Sequence, residues 1–263
     1  MKKNILIISA FFLVLAIVFP SCEDDEVSVS PDNKSIQESA MTESAVNDVV
    51  GLVNSGTSLK STSATTCGDF VFDQATNSLT IRFPESGCTG EDGVTRSGVI
   101  HAQFTGTWQE VGSTVVVTFD GYKRDGIGLS GTLTMSFTAT GTLPAFTVTS
   151  ANMSLTFEDG SAITWTGSTT YTYNGLNTPL DLTDDYFEIN GATSGTTKEG
   201  KSFAQVATNL QTSTSCKWFV AGNLKITITD GDKTEVYDLT FKEPCGTVDG
   251  TYNGIPFTLN LDE

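Results

Sequence analysis

The sequence predicts an all-β fold: an antiparallel meander of about 10–12 strands curled into a sandwich or barrel, preceded by one short N-terminal helix. Three observations predict it. First, polar and apolar residues alternate with a period of two through most of the chain, as in Thr132-Leu133-Thr134-Met135-Ser136-Phe137-Thr138, Met153-Ser154-Leu155-Thr156-Phe157 and Ile163-Thr164-Trp165-Thr166. Alternation puts the apolar side chains on one face and the threonines on the other, and one wet face means antiparallel pairing. Second, turn residues recur between these runs, at Asp125-Gly126, Glu158-Asp159-Gly160, Tyr173-Asn174-Gly175 and Asp230-Gly231-Asp232. Third, helical spacing occurs only ahead of the strands, so no crossover helix interrupts a meander of hairpins. A twisted sheet of that size does not stay flat.

The first element is a leader. Lys2 and Lys3 precede an almost unbroken apolar run, Ile5 to Phe19, ended by Pro20-Ser21-Cys22 and then Glu23-Asp24-Asp25-Glu26. A basic start and a short apolar middle describe a secretory signal peptide over residues 1–21. The run falls short of the roughly twenty residues a membrane-crossing helix needs. Val18-Phe19-Pro20-Ser21-Cys22 resembles a bacterial lipobox, which makes Cys22 the lipidation site and the first mature residue. More than one acyl chain is needed for stable anchoring, and a diacylated cysteine supplies two. Residues 22–34 form an acidic tether. Its four acids after Cys22 resemble the surface-export signal of Bacteroidota lipoproteins, which implies the outer face of the outer membrane.

Residues 35–66 come next, a helix and a Ser/Thr-rich linker. Ser35-Ile36-Gln37-Glu38 reads as a capping box. Met41, Ala45, Val49 and Val53 then recur at helical spacing, so a helix is expected over 35–54, ending near Gly56 and covering an edge or end of the β domain. The antiparallel β domain occupies 67–263.

Five cysteines leave four after lipidation, an even number for an oxidising compartment. Leu79-Thr80-Ile81-Arg82-Phe83…Cys88…Asp92-Gly93…Gly98 is echoed by Leu239-Thr240-Phe241…Cys245…Asp249-Gly250…Gly254, each copy with a cysteine upstream, Cys67 and Cys216. A turn at Gln74–Asn77 brings Cys67 opposite Cys88, and a turn at Asp230–Lys233 brings Cys216 opposite Cys245. The expected disulfides are therefore Cys67–Cys88 and Cys216–Cys245, within reach of the ~5.5 Å Cα separation a disulfide needs. The segment from Cys88 to Ile100, with Gly112-Ser113-Thr114-Val115, Thr118-Phe119-Asp120-Gly121-Tyr122 and the Cys216…Cys245…Asn253-Gly254 block, is similar to a group of uncharacterised Bacteroidota outer-membrane and surface lipoproteins. That resemblance implies location and architecture, and no chemistry.

The formal charge is −17, and −19 once residues 1–21, with two lysines and no acid, are removed. Such a charge excludes nucleic acid and other partners held by phosphate contacts. His101 is the sole histidine and sits in an alternating run with no nucleophile elbow beside it, so a Ser-His-Asp triad is not expected. With the cysteines assigned to disulfides, neither a metal nor a cofactor site is expected. Asp230-Gly231-Asp232 and Asp184-Asp185 with Glu188 cluster oxygen ligands, but Asp-Gly is also what a tight hairpin turn requires. Among Trp108, Trp165, Trp218, Tyr171, Tyr173 and Tyr186, Trp165 falls on the apolar register and Trp218 stands beside Cys216. Tyr171 and Tyr173 share a face and are the exposed candidates for binding a glycan or protein. The expected function is therefore a non-enzymatic, membrane-anchored envelope lipoprotein with a binding or structural role. The alternatives are a glycan hydrolase using paired carboxylates and a periplasm-facing carrier of an apolar ligand.

Overall fold

The computed structural model describes residues 33–57, 68–140, 143–174, 186–213 and 215–262. Helix α1 (Asn33–Thr57) is followed by β1 (Asp69–Asp73), β2 (Ser78–Thr89), β3 (Thr95–Thr105), β4 (Thr114–Arg124), β5 (Ile127–Thr140), β6 (Leu143–Thr156) and β7 (Ala162–Asn174). Then come β8 (Tyr186–Thr196), β9 (Ser202–Ser213), β10 (Cys216–Asp230), β11 (Lys233–Lys242), β12 (Thr247–Tyr252) and β13 (Ile255–Asn260). The signal peptide, Cys22, the acidic tether, Cys67, Asp184 and Asp185 lie outside the described residues.

All thirteen strands form one sheet in which each pairs antiparallel with its sequence neighbours. The meander is as expected, with one more strand than the upper end of the expected range. The sheet is neither a closed barrel nor a two-sheet sandwich, because its order runs unbroken from β1 to β13 and does not close. It is nonetheless strongly curled. β4 and β10 stand six positions apart in the sheet order, about 29 Å if the sheet were flat at roughly 4.8 Å per strand. Yet Arg124, at the end of β4, donates from Nη2 to the Lys217 carbonyl at the start of β10 at 3.2 Å. Only a sheet coiled back on itself brings those strands together.

Glycine bulges supply the bending. Gly98 interrupts the β3–β4 register and Gly222 the β9–β10 register, at φ +84° and +93°. A Cβ at Gly98 would lie 2.3 Å from the Gly121 carbonyl oxygen, and one at Gly222 would lie 2.1 Å from that of Asn209. Each position therefore requires both the left-handed backbone and the missing side chain, and each bulge sharpens local twist.

The curl encloses α1. The helix is longer than expected, and Ser35 is buried within its first turn rather than capping it. Ala45, Val49 and Val53 are buried as the spacing implies, but so are Ile36, Ala40, Val46 and Val50 on other faces. Only Asn33, Lys34 and Gly51 are exposed. The helix does not cover an edge or end of the domain. It runs through the interior, and its polar residues are buried against polar groups of the sheet wall. Its start lies against the β8–β9 turn, where Lys34 bonds Glu199 at 2.7 Å. Its far end lies by the β3–β4 loop, where Gln109 Nε2 approaches Asn54 Oδ1 at 3.4 Å.

The turns at Asp125-Gly126, Glu158-Asp159-Gly160 and Gly231-Asp232 are where expected. The strand continues through Tyr173 and Asn174, which pair with Phe187 and Tyr186. Strand pairing takes both residues out of the expected turn. The internal echo is one of letters, not of structure. Asp92-Gly93 lies in the β2–β3 turn but Asp249-Gly250 lies inside β12, and Gly98 forms a bulge where Gly254 forms a hairpin turn.

Candidate functional site

The disulfide expectation holds in the C-terminal hairpin: Cys216 and Cys245 are bonded, with Cα atoms 5.7 Å apart. Cys88 is disulfide-bonded as well, and its expected partner Cys67 is outside the described residues. Trp218, two residues after Cys216, is buried and donates from Nε1 to Asp262 at 2.9 Å, while Lys217 pairs with the same carboxylate at 2.7 Å. The chain end is thus held against the disulfide-bonded hairpin.

Two polar clusters join α1 to the wall. The first surrounds Asp48, which accepts from the guanidinium of Arg96 and from the Tyr122 hydroxyl at 2.6 Å, with Arg124 Nε 3.9 Å away. Arg96 also bonds Asp92, and Arg124 donates to Ser44 Oγ at 2.9 Å. Side-chain exposure is 5% for Asp48 and 3% for Arg96, so these charges are held away from water. Burial works against the Arg96 charge, but Asp92 and Asp48 outweigh it and raise its pKa. Burial raises the Tyr122 pKa strongly, and the Asp48 charge beside it acts in the same direction.

The second cluster centres on Glu43, a fully buried carboxyl that accepts from Thr193 Oγ1 at 2.9 Å and Gln205 Nε2 at 3.1 Å. Burial raises its pKa above the ordinary 4.5, and the two hydrogen bonds only partly oppose this. A carboxyl whose pKa is raised on folding contributes most below its unfolded value, and that contribution is lost as pH rises through the folded value. Glu43→Gln keeps both hydrogen bonds and removes the charge. The variant is therefore expected to match the wild type in melting temperature at pH 4 and to exceed it at pH 8. A difference between the two proteins that does not change between those pH values would contradict the burial argument.

Tyr171 corrects the expectation of an exposed pair. It is 0% exposed and stacks on Phe146 with centroids 5.2 Å apart and planes 10° apart. Tyr171 lies six residues beyond Trp165, an even number, and so shares its inward face. Tyr173, the other member, is half-buried and packs on Phe187 at 5.8 Å. Trp165 is core, as expected.

Tyr171 and Tyr173 belong to a larger arrangement that the sequence did not disclose. Eight rings touch in succession: Phe72, Phe104, Trp108, Phe137 and Phe146, then Tyr171 and Phe187, then Tyr173. The centroid separations run from 4.9 to 6.0 Å. The rings come from β1, β3, the β3–β4 loop, β5, β6, β7 and β8. They form an aromatic rim at one end of the sheet. Phe104, Phe137, Phe146 and Tyr171 are buried; Trp108, Phe187 and Tyr173 are half-buried, and Phe72 is 41% exposed. Only Phe137–Phe146–Tyr171 and Tyr173–Phe187 are direct cross-strand pairs, so strand register was needed to see it.

His101 is exposed on the outer face of β3. It lines an open depression of about 230 Å³ with Thr80, Gln103, Val116 and Thr118, below the usual size of a small-molecule pocket. Asp230 and Asp232 are exposed at the β10–β11 hairpin. Among the described residues no group of three or more His, Cys, Asp or Glu is placed to hold a metal. The strands β5, β6, β7 and β9 carry no charged side chain, and β8 carries only Glu188. Across their outer face Thr114, Ser136, Thr147, Thr170 and Asn190 line up in register. No protein-family model matches the chain, nor does any curated protein or solved structure.

Proposed function

We propose that the chain is an exported lipoprotein, anchored in the bacterial outer membrane through acylated Cys22 and displayed at the cell surface, with a non-enzymatic binding or structural β domain. The observation that carries this reading is the position of α1. A carrier would hold its apolar ligand where the curl encloses volume, and that volume is occupied by Ile36, Val46, Val49, Val50 and Val53 together with the buried Asp48 and Glu43 clusters. What remains available to a partner is the outer surface and the rim. The Cys216–Cys245 disulfide supports an oxidising compartment outside the cytoplasm.

The expected result is radiolabelled palmitate on the wild type, none on Cys22→Ala, and release of that variant from membranes. Protease added to intact cells should degrade the protein. An unmodified mature N-terminus, or full protection in intact cells, would overturn the anchoring and the surface display respectively.

A further inference from the structure

We propose that the aromatic rim is a binding site for neutral carbohydrate, with Trp108 and Tyr173 as the stacking groups at the end of the domain away from the tether. This rests on the reading of an anchored surface module, and it names the partner class.

The first support is placement. The eleven residues between Cys22 and Asn33 enter the domain where Lys34 meets the β8–β9 turn. Phe187 begins the same strand β8 that ends at that turn, and Gln109 of the rim loop meets the far end of α1. The rim and the tether therefore sit at opposite ends of a helix about 37 Å long. A site meant for partners beyond the envelope belongs at the end remote from the anchor.

The second is chemistry. Flat apolar rings with a few amide and hydroxyl groups are the usual lining of a site for an uncharged, hydroxyl-bearing ligand. Trp108 lies half-buried on Phe104 and Phe137, which brace one side of its ring at 5.3 and 4.9 Å. Around it stand Gln109 and the exposed Val111 and Phe72. Base stacking would suit such rings equally, but nucleic acid is excluded by a chain of −17. The strands β5–β7 that bear the rim hold no charge at all, which matches a neutral partner better than an acidic or basic one.

The third is local strain. Gln109, directly after Trp108, has φ +65°, a left-handed conformation that non-glycine residues adopt rarely and at some cost. That backbone fixes the direction in which the loop presents Trp108.

The test uses the full mature lipoprotein in detergent, with pull-down on insoluble amylopectin, laminarin and xylan, and polygalacturonate as the acidic control. Wild type should be retained by at least one neutral polymer and not by polygalacturonate. Trp108→Ala with Tyr173→Ala should weaken retention by at least about tenfold, as loss of a central aromatic contact does. Trp108→Phe, which keeps a flat ring, should restore most of it, and His101→Gln on the outer face should change nothing. Peptide mapping of Cys216–Cys245 and a melting curve check that each variant is folded. Retention that survives the double substitution, absence of retention on every neutral polymer, or rim-dependent binding to apolar peptides instead would each overturn the proposal. These outcomes are read in solution, so they are independent of whether Cys22 is acylated.

Discussion

Replacing Asp48 with alanine is expected to lower stability by about 3–5 kcal/mol, the cost of stranding buried charge by removing its partner. Asp48 is the anion that α1 contributes to a wall carrying Arg96 and Arg124. Without it, Asp92 remains to neutralise Arg96, but Arg124 keeps only the Ser44 hydroxyl and the Lys217 carbonyl. The Tyr122 hydroxyl also loses the carboxylate it donates to. At roughly 2–4 °C per kcal/mol for a domain of this size, the melting temperature should fall by about 10 °C. Asp48→Asn keeps the volume and part of the hydrogen bonding and should fall between. Replacing Asp48, Arg96 and Arg124 together with apolar residues should cost less than Asp48→Ala alone, because no charge is then left buried. Thermal unfolding followed by circular dichroism separates these outcomes. A loss under about 1 kcal/mol for Asp48→Ala would show that water reaches the cluster and that α1 is not locked by it.

The strands were legible because each has one wet face, so the alternation of Thr132 to Thr138 or Ile163 to Thr166 needs no knowledge of the partner strand. The helix was legible for the same kind of reason, but its location was not. Its spacing showed one apolar face, whereas the residues that make its polar faces buriable lie far along the chain. Asp48 meets Arg96 48 positions away, Ser44 meets Arg124 at 80, and Glu43 meets Thr193 at 150. No local pattern announces such pairs. Tyr171 is different, since its inward direction follows from the even separation from Trp165. The short strands β1, β12 and β13 carry too few alternations to count reliably, and whether β1 meets β13 depends on accumulated twist rather than on any residue pattern. The rim was invisible for a related reason: its rings come from seven separate segments that only the register of the meander brings together.

The second large effect should come from the C-terminal disulfide. Replacing Cys216 and Cys245 together by alanine opens a loop closed across 29 residues, which in the chain-entropy account costs about 3–4 kcal/mol. Substituting both avoids a lone buried thiol, since Cys216 is 5% exposed. The loss should not stay local. Pairing between β9 and β10 is irregular from Cys216 to Asn223, with two register shifts in that stretch. Backbone hydrogen bonding there is accordingly weak, and the disulfide does much of the holding. The adjacent Lys217 carbonyl accepts from both Ser44 on α1 at 2.5 Å and Arg124 on β4 at 3.2 Å. Freeing the start of β10 therefore loosens the contact through which the two distant strands grip the helix. The expected readouts are a melting temperature lower by about 10 °C and faster amide exchange in residues 216–223 and in the middle of α1, with β5–β7 unchanged. Faster exchange confined to 216–223 would mean that the Lys217 carbonyl is held without the disulfide. A melting temperature within 2–3 °C of the wild type, less than about 1 kcal/mol at this size, would mean that the Lys217, Trp218 and Asp262 contacts hold the hairpin closed by themselves.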